Sequence, residues 1–231
     1  MQLINKHVKL RRYNIIMIQI QSFVFNTFQE NTYVVFDETN EALVIDPGCY
    51  EKDEQEELIE FIVGKGLKVV KLLNTHCHID HVLGNHFIKE KYKVKLYIHP
   101  EDEETLKSVE VYAPAYGFAK YSAVQVDEFF NEGDTIVFGN SKFDIVFVPG
   151  HAPGHVAFIN EEQNVCIGGD VLFDGSIGRT DLPGGNFEQL IQSIHQKLFI
   201  LSDDLVIYPG HGATTTIGKE KTTNPFCAIN Q

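Results

Sequence analysis

Apolar and polar residues alternate through residues 17–25 (MIQIQSFVF) and again dominate residues 32–37 (TYVVFD), with the polar stretch NTFQEN between them. A period of two is that of a half-buried strand, so the pair predicts two antiparallel strands. Residues 42–48 (ALVIDPG) read as a third strand, stopped by Pro47-Gly48. Over residues 52–66, Leu58, Phe61 and Ile62 recur at helical spacing ahead of Gly64, and residues 68–76 (KVVKLLNTH) then form a buried strand, a β-helix-β step. A helix near 81–91 leads to a strand at 94–99, and residues 101–130 carry a mixed signal that fits a helix and a loop. Residues 135–150 predict a hairpin about Gly139-Asn140, and residues 155–160 and 164–170 predict further short strands. The glycine-rich stretch 175–185 (GSIGRTDLPGG) reads as loop, residues 186–201 as an amphipathic helix, and residues 204–212 (DLVIYPGHG) as a strand ending in a tight turn. Strands and helices thus mix in one α/β (α+β) chain without repeats, low-complexity linkers or a visible boundary. Residues 17–231 are expected to form one domain, and residues 1–16 a poorly structured extension or a mis-assigned start ahead of Met17.

Composition narrows the function. Of 231 residues 43% are hydrophobic and 22% charged, enough for a substantial core and against disorder. Nineteen Lys and Arg against 32 Asp and Glu give a net charge of −13, which repels phosphate and anionic lipid and so argues against nucleic-acid and membrane partners. The apolar run at 15–20 is short and broken by Gln19 and Gln21, unlike a signal peptide or a membrane span. Cys49, Cys77, Cys166 and Cys227 are widely separated, with no metal or disulfide spacing. Free thiols and a cytoplasmic location are the expectation.

Ten histidines in so acidic a chain stand out. At several strand ends an apolar run stops and a His or Asp follows beside Gly or another small residue: Thr75-His76, Gly150-His151, Gly169-Asp170 and Gly210-His211. Strand ends are rigid platforms, so side chains there can converge. The densest case is His76-Cys77-His78-Ile79-Asp80-His81. In an extended segment His76 and His78 share a face, roughly 6.6 Å apart, and two imidazoles can reach one metal. Four potential ligands in six residues suit a two-ion cluster. At this composition an HxHxDH string arises by chance about once in a thousand such chains. Cys77 should point across the strand, away from both histidines. His7, His86, His99 and His195 belong to no motif.

The segment THCHIDH resembles the signature of the metallo-β-lactamase superfamily. PGHAPGH (149–155), GGD (168–170) and PGHG (209–212) follow in that family's order. The resemblance covers about residues 17–226 and is strongest to short bacterial glyoxalase II-like (hydroxyacylglutathione hydrolase-like) proteins, through GRTDLPGG (178–185) and the tail 209–226. It implies an αββα four-layer sandwich. It also implies that His76, His78 and His151 bind one metal and Asp80, His81 and His211 another, with Asp170 as the bridge. The cofactors implied are two divalent ions, zinc first, with iron or manganese as substitutes. Hydroxide shared by two such ions would attack a small thioester or ester, with Asp80 as catalytic carboxylate as well as ligand. His155 and Asp46 are expected to hydrogen-bond behind the ligands, and Arg179 to bind a substrate carboxylate, against a surface pairing with Asp181. Relatives with longer chains bind glutathione through a C-terminal helical region for which this chain has no room, and Ala213 stands where they place an aromatic. Two other functions remain open: a mononuclear iron persulfide dioxygenase using His76, His151 and Asp170, and a metal-stabilised binding protein without catalysis.

Overall fold

The first predicted pair forms β1 (Gln19–Phe25) and β2 (Glu30–Phe36), antiparallel with Phe25 opposite Glu30, followed by antiparallel β3 (Glu41–Ile45). The structure, a computed structural model, describes residues 17–229; the extension expected over 1–16 lies outside them. Helix α1 (Lys52–Gly64) opens on a capping box between Glu51 and Glu54, buries Leu58 and Ile62, and returns the chain to β4 (Lys68–Leu73), parallel to β3. The strand expected to run to His76 ends at Leu73: Asn74 N–H still reaches Tyr97 O of β5, but from Thr75 onward the backbone bonds to a side chain and to the other sheet. The single helix expected near 81–91 is two, α2 (Ile79–Val82) and α3 (Asn85–Tyr92). They part at Gly84, whose N–H reaches Pro47 O at 2.7 Å and where a Cβ would lie 2.6 Å from Cys49 Sγ. Strand β5 (Leu96–Ile98), helix α4 (Glu103–Tyr112) and the short β6 (Glu128–Phe129) complete a six-stranded sheet in sequence order, parallel from β3 to β6.

The second sheet begins with the expected hairpin, β7 (Thr135–Phe138) and β8 (Ser141–Phe147), then β9 (Val156–Asn160) and β10 (Val165–Gly169). The stretch read as loop at 175–185 contributes two residues to a ribbon of β11 (Leu172–Phe173) and β12 (Ser176–Ile177), since Gly175 takes the positive φ of +71° that the turn requires. Helix α5 (Phe187–Ser193) runs on through a π-turn at Ile194–Leu198. It is followed by β13 (Val206–Pro209), parallel to β10, then by β14 (Thr215–Thr216) and α6 (Ile217–Thr223). Neither β14 nor α6 was foreseen.

All seven residues of β2 are buried because the strand is covered on both faces. Tyr33 and Val35 join Leu43, Leu73, Phe143, Ile145 and Phe158 in the layer between the sheets, whereas Val34 and Phe36 join Leu58, Ile62, Ile88 and Val109 under the first sheet's helices. A third layer sets Ile159, Cys166 and Ile207 against Leu190, Leu198 and Ile217. Three apolar layers between four layers of structure make the αββα sandwich. The strand ends of β3, β4, β8, β10 and β13 meet at one edge, where Val156 N–H donates to Thr75 O at 2.9 Å and ties the sheets together. No helix among the described residues is long and apolar enough to cross a membrane.

Candidate metal centre

The irregular segment after β4 is built on Asp46. Asp46 Oδ1 accepts the Thr75 N–H at 2.7 Å and Oδ2 the Thr75 hydroxyl at 2.5 Å. With its own proton committed, Thr75 Oγ accepts from His76 Nδ1 at 3.1 Å, which leaves His76 Nε2 bare. His151 Nδ1 donates to the Arg179 carbonyl at 2.7 Å, and since a carbonyl can only accept, the lone pair of His151 sits on Nε2. That atom faces His78 Nδ1 at 2.8 Å. The His76 ring lies 4.8 Å from those of both His78 and His151. His76 and His78 come together in irregular backbone, not on one strand face.

Asp80 and His81 lie on the short α2, and His211 follows β13. His81 Nδ1 is 3.2 Å from Asp46 Oδ2, and its Nε2 is 3.7 Å from Asp80 Oδ2 and 3.5 Å from Asp170 Oδ1. His211 Nδ1 lies 3.3 Å from Gln29 O, and its Nε2 is 3.1 Å from Asp80 Oδ2 and 3.5 Å from Asp170 Oδ2. Asp170 Oδ2 is also 3.5 Å from His151 Nε2. One buried carboxylate therefore faces both groups of histidines. Gly210 is required beside it: a Cβ there would stand 2.1 Å from Asp170 Oδ1 and 2.6 Å from His81 Cε1.

Charge differs across the site. Burial and neighbouring histidines hold His76 well below the usual range, and burial with His151 takes His78 down to about 3. Burial, partly offset by Asp170, lowers His151. Burial disfavours charge on His81 and His211 as well, yet Asp80 and Asp170 beside them raise both. Burial would likewise raise the two carboxylates, but His81 and its neighbours hold both below the normal carboxylate range. Among the described residues no Lys or Arg pairs with either carboxylate. His76 Nε2, His81 Nε2 and Asp170 Oδ1 are buried without a hydrogen-bond partner, a costly state unless something else binds them. An imidazole and carboxylate donor set with bare lone pairs turned inward fits divalent zinc, iron or manganese. His76, His78 and His151 form one group that could hold an ion and Asp80, His81 and His211 a second, each with ligand atoms within 4.8 Å.

Other expected residues take varied places. His155 Nε2 accepts the Asp170 N–H at 2.9 Å, and its ring stacks on His76. Asp46 sits at a φ of +50°, strained for a non-glycine residue, with its oxygens on Thr75 and His81. The Arg179 guanidinium is turned away onto Asp181, bidentate at 2.7 Å, and is 62% exposed. Its backbone carbonyl is what meets His151. Cys77 is fully buried, and burial raises its thiol well above the ordinary range. All four cysteines are free and buried. Sequence reasoning missed Glu30, fully buried 3.8 Å from His81 Nδ1. It also missed Asn31, whose amide donates to Pro209 O and Gly212 O at 2.9 Å and holds the His211 turn. A Glu-Asn pair at the start of an apolar strand was the available signal.

A four-layer αββα sandwich carrying paired His/Asp clusters on the edge where its strands end defines a metallohydrolase class of fold. The chain belongs to the metallo-beta-lactamase superfamily, whose family model matches residues 25–211. The hydroxyacylglutathione hydrolase GloC of Haemophilus influenzae is 40% identical over 90% of this chain and 98% of its own. The probable metallo-hydrolase YqgX of Bacillus subtilis is 33% identical over 86% and 92%. Among solved structures, TTHA1623 in a di-iron-bound form superposes with a TM-score of 0.79 at 36% identity, over 89% of this chain and 99% of that one. The BLEG-1 B3 metallo-beta-lactamase gives 0.83 at 30%, over 91% and 100%.

Proposed function

We propose that this protein is a binuclear metallohydrolase of small acyl thioesters, of the hydroxyacylglutathione type. His76, His78 and His151 would hold one divalent ion, Asp80, His81 and His211 the other, and Asp170 would lie between them. The observation that carries this reading is Asp170 itself, with Oδ1 3.5 Å from His81 and Oδ2 3.5 Å from both His151 and His211. Two divalent ions would supply a water whose pKa is lowered from 15.7 toward about 7 and a Lewis acid for the acyl oxygen. The chain supplies orientation. Thr75, the Arg179 carbonyl, Asp46 and the Gln29 carbonyl each occupy one nitrogen of His76, His151, His81 and His211, so the other nitrogen is turned inward, with its lone pair free on the neutral His76 and His151 and available on His81 and His211 once a bound ion takes the place of the proton. Asp80 turns Oδ2 to His81 and His211, and its Oδ1, on a carboxylate held ionised by those histidines, is assigned to take the proton given up by the attacking water and to hand that same proton to the leaving group.

The thioester assignment is supported by the GloC relative, which this chain matches over nearly that protein's whole length. Contact surface for the substrate is at hand. The β1–β2 turn abuts the site, with the Asn26 amide donating to Asp80 O at 3.1 Å, and presents exposed Phe28, packed against Tyr116 and Phe118. Phe173 lies 6.2 Å from the His211 ring. Arg179 is assigned to the anionic end of the substrate, for which it must leave Asp181; exchange of one exposed carboxylate for another costs little.

A single redox iron held by His76, His151 and Asp170 is the second reading, and the di-iron relative keeps iron in view. Metal content, thioester hydrolysis and persulfide-dependent oxygen uptake of the purified protein separate them. Two ions per chain with thioester turnover is the expected result; one iron with oxygen uptake would overturn the hydrolase.

A further inference from the structure

Asp102 stands immediately before α4, where an aspartate normally accepts the helix's first amide protons. Its carboxylate caps nothing in that helix. Instead, fully buried, it accepts the Cys77 N–H at 2.6 Å on Oδ2 and the Gly154 N–H at 2.8 Å on Oδ1, with the Thr105 hydroxyl 3.4 Å from Oδ1. Cys77 lies between His76 and His78, and Gly154 lies between His151 and His155. The first segment follows β4 of one sheet and the second follows β8 of the other, so this carboxylate spans the seam between the sheets on the side of the three-histidine group. The approach leaves no slack: a Cβ on Gly154 would lie 2.5 Å from Asp102 N and 2.7 Å from its Cβ.

A carboxylate has two oxygens that accept and neither donates, so it serves two amides at once; an asparagine would turn its NH2 toward one of them. Among the described residues no Lys, Arg or His pairs with Asp102, and burial pushes its carboxyl up to about 6. A buried acid without a cation is a poor device for stability alone. It does set the separation of two backbone segments with a rigid, short link.

We propose that Asp102 is a positioning residue of the three-histidine cluster, fixing the separation of the His76/His78 pair from His151 by holding the Cys77 and Gly154 amides on one carboxylate. The inference rests on the metal-centre reading above and predicts an effect confined to one of its two groups.

The test is Zn2+ affinity, read by competition with a chelating indicator. In a His211→Ala background, which isolates the three-histidine group, Asp102→Asn is expected to weaken binding about 10- to 100-fold. In a His78→Ala background, which leaves the other group, the same change should alter affinity by less than about twofold. Thr105→Val, which removes only the contact from α4, should leave both affinities as they were. Unchanged affinity in the first background, equal weakening in both, or an equal loss with Thr105→Val overturns the proposal. Should Asp102→Asn fail to fold by circular dichroism, Gly154→Ala replaces it. That variant keeps the carboxylate but forces the 151–155 segment away, so the same selective weakening is expected and wild-type affinity overturns the proposal. A wild-type chain that binds no Zn2+ overturns the metal centre and this inference together, whereas two bound ions unaffected by Asp102→Asn overturn the inference alone.

Discussion

Four of the site's histidines, His76, His81, His151 and His211, have little freedom because each is held at the nitrogen opposite the one it offers. Asp46 does this for two of them, directly for His81 and through Thr75 for His76. Asp46→Ala leaves the Thr75 amide, the Thr75 hydroxyl and His81 Nδ1 without their acceptor, and metal affinity is expected to fall about 10- to 100-fold; equilibrium dialysis against zinc checks it. Gly210→Ala should act from the other side, its methyl colliding with Asp170 Oδ1. Stoichiometry below two ions in a protein with a native circular dichroism spectrum is the expected outcome. Arg179→Ala should raise KM for an anionic thioester several-fold, leave a neutral ester unchanged, and shift stability by less than about 1 kcal/mol, because the Asp181 pair it breaks is exposed. Steady-state kinetics on both substrates and a denaturant titration measure these effects. At this scale the sequence was readable where chemistry is dense and local, as in the six residues 76–81. It was silent on Asp102 and Asn31, ordinary polar residues whose partners lie 25 and 52 positions away for one and 178 and 181 for the other.

Elements were legible wherever burial imposes a period. The hairpin of β7 and β8 and the apolar stripe of α5 each follow from side chains that one layer of core must hold, whereas the run through β1 divides, with Ile18 and Ile20 between the sheets and Phe23 and Phe25 under the helices. Three departures have separate causes. The strand before His76 stops early because Thr75 gives its amide to the Asp46 side chain and its carbonyl to Val156 of the other sheet, so neither continues the backbone ladder. Helix α3 begins afresh after Gly84 because the Cys49 sulfur and the Pro47 carbonyl crowd that point. Helix α6 has few apolar residues to announce it, only Ile217 and Glu220 being buried. Glu220 accepts from Gly175 N at 3.0 Å and from the Thr215 hydroxyl, anchoring the loop that carries Arg179. Glu220 also accepts from the Asn224 amide at 2.8 Å, so Glu220→Ala leaves three donors without their acceptor and should destabilise the protein by about 1–3 kcal/mol, measured as a lower midpoint in urea. Phe158, fully buried between the sheets, should cost about 3–5 kcal/mol when replaced by alanine.

For the whole molecule, metal and fold are linked by mass action. An ion bound only by the native state at a hundred times its dissociation constant adds about 2.7 kcal/mol of stability. Treatment with a chelator is accordingly expected to lower Tm by several degrees, and readdition of zinc to restore it. Calorimetry decides this; an unchanged Tm would mean that the histidine clusters hold no ion in the native state.

The seam between the sheets gives that linkage a direction in time. His76, His78, Asp80 and His81 follow strands of the first sheet and His151, Asp170 and His211 strands of the second, so neither half of the chain carries a complete cluster around Asp170. Contacts this remote in sequence close late, after each sheet has organised itself. Zinc uptake in a refolding experiment should then lag behind the recovery of the circular dichroism signal, and a bound ion would mark a chain whose two halves have finished docking.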